Sequence, residues 1–395
     1  MEEEKKINLV VFTREYPVGM ASTKRIQHLL DYLKSRDVMI KILAFRGNLP
    51  QPEMNGTYND IPYQNIGHGI KLSFSQTGKV LSYYINGFKS IAQSKRKGWK
   101  NIVYKAGGLN IENILFFIWA KLLGYKMVMT IEEDYSFFSD NIKLISRFKF
   151  WTTRKLDFLN CKWADEIIVI SYYLKNKYQK KGVSNITLIP ITARINFNDN
   201  KKTFNKPLQV VYAGTFADKD GVNDIISGFL EFKKSYKEAI LILTGKSAQQ
   251  EKYKEKYRNE SDLLFKGFVE DKDFYPLLRD SDVLCMCRTE SGFANAGFPF
   301  KLGEYLATGN PVICTKVSDV EYYLDENDVY LIEPGKPQQI TGALLSIVND
   351  PDKARARGMR GLEKCRKYFS AETNGQIFLD VLNRLGCYLL LVLCE

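Results

Sequence analysis

Residues 7–45 read INLVVFTREYPVGMASTKRIQHLLDYLKSRDVMIKILAF. The run INLVVF is short and apolar apart from Asn8, as a strand covered on both faces tends to be. STKRIQHLLDYLKSR then has a helical period, and VMIKILAF returns to a strand, so the segment predicts a βαβ unit. The same beat continues through NIVYKA, a helix over about 111–123, KMVMTI, a helix over about 145–162, EIIVIS, a helix from Tyr172 and ITLIPI. A polar stretch at 192–207, TARINFNDNKKTFNKP, interrupts it. The alternation restarts with LQVVYAG, a helix over about 221–235, AILILTG, LLFKGF, a helix over about 271–279, DVLCMC, PVICT and VYLIE, and closes with three helical segments over about 336–385. The expected fold class is α/β, with two Rossmann-like domains facing across a cleft. The expected boundaries are a first domain at 1–194, a hinge linker at 195–207, a second domain at 208–370, and a C-terminal helix and tail at 371–395 that packs back on the first domain.

At 395 residues the chain exceeds one ordinary core, and 45% hydrophobic residues with only 12 prolines exclude a disordered chain. Lys and Arg number 57 against 45 Asp and Glu, a net charge of +12 that suits nucleic acid, anionic lipid or phosphorylated small molecules, or is simply a solvated surface. Seven cysteines without a CxxC pair or a Cys/His cluster point to a reduced compartment, and Cys285 and Cys287 fit one face of a buried strand. The opening MEEEKKINLVVF lacks the basic flank of a signal peptide, and ILFFIWAKLLGYKMVM is broken by Lys121, Gly124 and Lys126 before it reaches spanning length. A cytoplasmic protein is expected.

Three loops after strands carry glycine beside charge. In VVYAGTFADKDGVNDII, Gly214 ends a strand, Lys219 follows, and Gly221 opens a helix. A helix N-terminus with a lysine beside it suits a phosphate, although the same loop also fits a plain surface turn. ILILTGKSAQQ brings Gly245 and Lys246 to a strand end, and LLFKGFVEDKDF brings Gly267. GFPFKLGEYLATGNPVICT, residues 297–315, starts a helix at Gly297 and Pro299 and stops it at Gly309. Lys301 and Glu304 share one helical face: they form either a surface ion pair, or a lysine for a phosphate and a carboxylate for the two hydroxyls of a ribose.

These residues carry a resemblance. YAGTFADKDGV, FKGFVEDKDFYPLLRDSDVLCMCR and FPFKLGEYLATGNPVI, over roughly residues 208–350, resemble the nucleotide-sugar-binding domain of GT-B glycosyltransferases, in particular the fourth, retaining family that builds bacterial polysaccharides and glycolipids. REYPVGMASTKRIQHLLDYLKSRDVMIKIL and ADEIIVISYYLKNKY match more loosely. The resemblance implies a donor site formed by Gly214, Thr215, Lys219, Gly245, Gly267, Val269, Arg288, Gly297, Phe298, Lys301 and Glu304. Lys219 would contact the diphosphate and act in catalysis, Gly267 to Val269 would border the base, Glu304 would hold the ribose, and Arg288 would meet a phosphate or the acceptor. Two departures stand out. The family's first glutamate, eight residues before the second, is Ala296 here, with Glu290 farther upstream. The family's histidine after the fourth or fifth strand is absent, since only His28 and His68 exist, and the corresponding loop MTIEEDYSF offers Glu132, Glu133 and Asp134 to the acceptor, or is a solvated acidic turn. In EYPVGMASTKR, Gly19 would allow close approach of donor or acceptor, Ser22 or Thr23 would cap the first helix, and Arg25, unfavourable near a helix N-terminus without an anion, is a candidate for acceptor or phosphate.

The implied reaction moves a sugar from a nucleotide-diphosphate sugar to a hydroxyl of a saccharide or lipid-linked acceptor with retention. No cofactor or metal is expected, because Asp280 and Asp282 of RDSDVL precede a strand instead of following one. Removal of Lys219 should lower turnover strongly. NIKLISRFKFWTTRKLDFL, residues 141–159, interleaves basic and aromatic side chains and reads either as a crossover helix or as a segment lying on an anionic membrane, which would make the protein peripheral on the inner face of the membrane. The alternatives are a sugar-nucleotide 2-epimerase, a catalytically degenerate scaffold of a polysaccharide assembly complex, and a nucleic-acid binder, for which no RNA or DNA motif speaks and which is not expected.

Overall fold

The structure is a computed structural model that describes residues 6–19, 21–45, 55–67, 77–107, 113–134, 136, 151–153, 155–156, 162–195, 203–245 and 247–385. The chain divides into two compact units, Met1–Pro190 with Ala371–Glu395, and Ile191–Ser370.

The first unit holds an eight-stranded sheet. Its strands are β1 (Ile7–Thr13), β2 (Val38–Ala44), β3 (Asn55–Tyr58), β4 (Ile61–Asn65), β5 (Lys100–Lys105), β6 (Lys126–Ile131), β7 (Glu166–Val169) and β8 (Ile186–Leu188), in the order β3-β4-β2-β1-β5-β6-β7-β8. All neighbours are parallel except β3 and β4. Every residue of β1 is buried, because helices cover both faces of a parallel sheet. The β3–β4 hairpin and the helix Thr77–Ser94 depart from the predicted alternation. NGTY is largely exposed and lacks the apolar run that marks a central strand. The predicted 145–162 helix, with the basic-aromatic segment 141–159, lies mostly outside the described residues; 151–153 and 162–163 are helical.

The helix Ala371–Arg384 packs on the helix Ala21–Lys34, where Gly375 lies so close to Tyr32 that a Cβ would overlap the ring. Phe378 meets Tyr104 with ring centroids 4.8 Å apart. Neither Ser22 nor Thr23 caps the first helix, which begins at Ala21 and contains both. Thr23 instead donates to the Glu15 carbonyl at 3.3 Å, tying the helix to the loop that precedes it.

The second unit has six parallel strands, β9 (Leu208–Ala213), β10 (Ala239–Thr244), β11 (Leu263–Gly267), β12 (Val283–Met286), β13 (Val312–Thr315) and β14 (Tyr330–Ile332), in the order β11-β10-β9-β12-β13-β14. The chain moves outward from β9 to β11 and then returns to the other side of β9 with β12. The loops after β9 and β12 therefore part in opposite directions, which opens a crevice at the carboxyl ends of these two strands. The described cysteines, Cys285, Cys287, Cys314 and Cys365, are buried free thiols. The Asp282 carboxylate accepts from the Gln209 N–H at 2.7 Å and the Asn205 N–H at 2.9 Å, while Asp280 pairs with Arg279 at 2.7 Å.

Candidate functional site

The crevice at β9 and β12 gathers most of the expected donor residues. After β9 the chain passes through Gly214, Thr215 and Phe216 into a single 3₁₀ turn, Asp218–Asp220, and enters the helix Val222–Ser235 through Gly221. Gly221 is left-handed (φ 60°), and a Cβ on it would overlap the Cys287 carbonyl at the end of β12. The two loops are laced together: the Thr289 N–H donates to the Lys219 carbonyl at 3.0 Å, and the Thr289 hydroxyl to the Asp218 carbonyl at 3.4 Å.

The hub of this loop is Asp220, 3% exposed. Its Oδ2 accepts from the Tyr212 hydroxyl at 2.9 Å, the Thr215 hydroxyl at 3.1 Å and the Ala217 N–H at 3.3 Å. Its Oδ1 lies 3.1 Å from Lys301 Nζ. Burial alone would raise the Asp220 carboxyl, but Lys301, the Tyr212 hydroxyl and Arg288 outweigh it and hold it below its ordinary value.

Lys301 thus pairs with Asp220, far along the chain, and not with Glu304 one helical turn away; the surface-pair alternative is wrong. The ammonium also lies 4.5 Å from the Tyr212 ring centre and 3.3 Å from its hydroxyl. Burial lowers its pKa to about 8; Asp220 pulls it back up, while Arg288 and Lys219 push it further down. Three cations, Lys219, Arg288 and Lys301, therefore share the neighbourhood of one buried carboxylate. Cations gathered at a strand-end crevice suit a polyphosphate.

Lys301 and Glu304 project from the short helix Phe300–Leu306. That helix is pinned by Tyr305, fully buried, whose hydroxyl accepts from the Ala213 N–H at 2.8 Å and donates to the Ala213 carbonyl at 3.3 Å. Gly303 lets its opposite side close on Ile191 and Ala193. Glu304, 6% exposed, follows Gly303 and precedes Tyr305 on this pinned turn.

The glycine loops of β9, β10 and β11 also converge. The Gly214 N–H donates to the Thr244 carbonyl at 2.9 Å, and the Gly245 N–H to the Gly267 carbonyl at 2.8 Å. A Cβ on Gly214 would overlap Lys301 Nζ, and one on Gly245 (φ 149°) would overlap the Gly214 carbonyl. The buried Gln250 closes this corner: with its amide turned so that the nitrogen faces the Gly245 carbonyl (2.6 Å) and the oxygen the Gly267 N–H (3.2 Å), it satisfies both. Gly267 has φ 70° and open space around it, Phe268 beside it is 67% exposed, and Val269 is half-buried.

Other expected residues are placed differently. Phe298 is 4% exposed and packs on Tyr323 and Phe369, with centroids 5.5 and 5.4 Å apart, so it is a core aromatic and not a donor contact. Gly297 is extended, and its carbonyl accepts from the Ser318 hydroxyl. Ala296 is fully buried in the helix Gly292–Ala296, whereas Glu290 is exposed.

In the first unit, Arg25 is 2% exposed and has its anion within the chain: its guanidinium donates to the Ile189 carbonyl at 2.8 Å, the Pro190 carbonyl at 3.3 Å and Glu132 Oε1 at 3.4 Å. It joins the first helix to strand ends and needs no external phosphate. Asp134, 2% exposed, is likewise committed, to Lys177 at 2.5 Å, the Tyr173 hydroxyl at 3.1 Å and Ser136. Burial opposes its charge, but the Lys177 and Ser136 hydrogen bonds keep its carboxyl below the ordinary value. Glu132 and Glu133 remain half-buried at the end of β6. Gly19 packs against the Thr23 side chain.

Sequence reasoning missed Asp220, Tyr212, Tyr305 and Lys105. Lys105 at the end of β5 is 4% exposed, donates to the Ala106 and Gly107 carbonyls, and has its pKa lowered to about 8 by burial, with Glu132 pulling upward. A lysine inside the apolar run NIVYKA was the available signal.

A lysine whose pKa is near 8 sets a pH expectation for this site. Between about pH 8 and 10.5 the unfolded lysine holds a proton that folded Lys301 does not, so this group makes stability rise with pH across that window. An anionic ligand needs the protonated form, so its affinity should fall as pH rises through about 8, and Lys301→Arg should move that decline upward. Titration of nucleotide binding from neutral to alkaline pH checks the second sign, and an affinity flat across pH 8 would contradict it; denaturation of the free protein over the same range checks the first.

Residues 194–363 match the model of the family described as glycosyl transferases group 1. Over 364 residues, 89% of this chain and 92% of the relative, the sequence is 22% identical to the uncharacterized glycosyltransferase MJ1178 of Methanocaldococcus jannaschii. Among solved structures, sucrose-phosphate synthase from Thermosynechococcus elongatus superposes with a TM-score of 0.70 at 15% identity, over 96% of this chain and 99% of the other. Anabaena HepE in complex with UDP-glucose superposes with a TM-score of 0.69 at 14% identity, over 95% and 99%. Residues 194–363 are thus similar to the glycosyl transferases group 1, and the chain as a whole has the two-sheet GT-B fold of these solved structures.

Proposed function

We propose that the protein transfers a sugar from a nucleoside-diphosphate sugar to a hydroxyl of a saccharide or lipid-linked saccharide, with retention at the anomeric carbon and without a metal. The observation that carries this reading is the group of Lys219, Arg288 and Lys301 around Asp220 at the β9/β12 crevice. Fixed cations at that point stabilise the charge that develops as the diphosphate leaves, the task that a metal performs elsewhere. Glu304 takes the ribose. The open strand end at Gly267, with Phe268 exposed beside it, suits the base, and HepE's complex with UDP-glucose makes uridine the first base to test. Glu132 and Glu133 are the polar groups proposed to meet the acceptor, and Gly19 lies in the loop proposed to approach it.

The reading is tested by thermal shift with UDP, GDP, CDP, ADP and their common sugars, followed by turnover assays without metal and with chelator. A ligand that binds only the folded state adds about 2.7 kcal/mol of stability at a hundredfold excess over its Kd. The melting temperature should therefore rise by several degrees with one nucleotide class and not with the others. A folded protein that none of them stabilises would contradict the donor site. One observation favours a second reading, a scaffold that binds donor without turning it over: Ala296, buried, occupies the place of the family's first glutamate. A nucleotide shift with no transfer to any acceptor would support it.

A further inference from the structure

In the first unit the helices Thr77–Ser94 and Ile114–Leu122 pack side by side. A Cβ on Gly87 would overlap the Phe116 ring, the Phe88 and Trp119 rings lie 5.7 Å apart, and the Trp119 indole N–H donates to the Phe88 carbonyl at 3.1 Å. Phe116, Phe117 and Ala120 fill the inner side of the second helix. Its outer side is apolar as well: Leu115 is 46% and Leu122 is 75% exposed, seven residues apart and so on one face. On the first helix Leu81 and Ile85, one turn apart, are 63% and 55% exposed. A surface helix facing only water carries polar residues at such positions.

Charge supplies the second observation. From residue 61 to residue 111 there is no Asp or Glu, while Lys71, Lys79, Lys89, Lys95, Arg96, Lys97, Lys100 and Lys105 all fall there. Lys89 lies one turn beyond Ile85, and Lys95, Arg96 and Lys97 are exposed at the end of that helix. Lys95 Nζ donates to the Leu123 carbonyl, which brings this basic end beside Leu122. Exposed aliphatic side chains flanked by cations of one sign are what an anionic bilayer surface selects: the aliphatics enter the acyl boundary while the cations stay among the headgroups. Among the described residues no helix is long and apolar enough to cross a membrane.

We infer that the helix pair Thr77–Ser94 and Ile114–Leu122 is a docking face for anionic lipid bilayers. It differs from the 141–159 segment expected from the sequence, and it requires neither donor nor turnover. The test is sedimentation of the full chain with phosphatidylcholine vesicles and with mixed phosphatidylcholine and phosphatidylglycerol vesicles. Wild type should bind the mixed vesicles at low salt and dissociate at high salt, and it should not bind the neutral ones. Lys95→Gln/Arg96→Gln/Lys97→Gln should weaken vesicle binding by about a hundredfold. Leu81→Gln/Ile85→Gln and Leu115→Gln/Leu122→Gln should each weaken it at least about tenfold. These side chains are exposed, and an unchanged melting temperature of each variant without ligand verifies that it is folded. Failure of wild type to bind mixed vesicles, or binding that all three variants retain, would overturn the proposal even if donor turnover is confirmed.

Discussion

Lys301→Met is expected to lower turnover of the nucleoside-diphosphate sugar by about 10²–10³-fold, the loss associated with removing one preorganised donor from a developing negative charge. Lys301 carries this weight because its ammonium is set in place before any ligand arrives, 3.1 Å from Asp220 and against the Tyr212 ring. Lys219 projects from a single 3₁₀ turn, whereas Lys301 projects from a helix pinned to Ala213 by Tyr305, so Lys219→Ala should cost less, about tenfold, which reverses the ranking expected from the sequence. A structural explanation of the Lys301 effect is separable. Loss of the lysine would leave the Asp220 carboxylate buried without its ammonium, at a cost of about 2 kcal/mol of stability because Tyr212, Thr215 and Ala217 still donate to it. The double variant Asp220→Asn/Lys301→Met removes that unpaired charge and should recover most of the melting temperature but none of the turnover. Recovery of both would show that Lys301 serves only to hold the loop.

The two rounds of strand and helix were legible because central parallel strands, covered on both faces, are mostly apolar runs; INLVVF and LQVVYA, each with a single polar residue, Asn8 and Gln209, became β1 and β9. The β3–β4 hairpin was not legible, since NGTY at the sheet edge is mostly exposed and carries no comparable signal. At the site, GEYLATGNP announced the helix carrying Glu304, with its stop at Gly309. The partner of Lys301 was out of reach: helical spacing offers only near neighbours such as Glu304, whereas Asp220 is brought in by the β9/β12 crossover. Arg25 shows the same limit. Its place near a helix N-terminus calls for a nearby anion or acceptor, and nothing local reveals that the fold supplies Glu132 and the carbonyls of Ile189 and Pro190. Local periodicity and strand-end chemistry are readable from a single chain, while the identity of long-range partners depends on topology.

Glu304→Ala is expected to weaken nucleotide binding by roughly 10²-fold, since two hydrogen bonds from ribose hydroxyls to one carboxylate contribute together about 3 kcal/mol. The geometry favours such a role. The Tyr305 hydroxyl bonds to both backbone groups of Ala213 and Gly303 is closed on Ile191 and Ala193, so the backbone on both sides of Glu304 is fixed, and Glu304 itself is 6% exposed, which leaves little freedom to lose on binding. Glu304→Gln keeps the shape but has only one acceptor oxygen, so its loss should be nearer tenfold. The decisive comparison uses UDP and its 2′-deoxy analogue on wild type and Glu304→Ala. Wild type should prefer the ribonucleotide by about tenfold, and the variant should bind both equally, because the carboxylate that distinguishes them is gone. If Glu304→Ala binds both nucleotides weakly but still prefers the ribonucleotide, another group reads the ribose, and Glu304 acts by keeping the helix Phe300–Leu306, with Lys301 on it, in register with the end of β9.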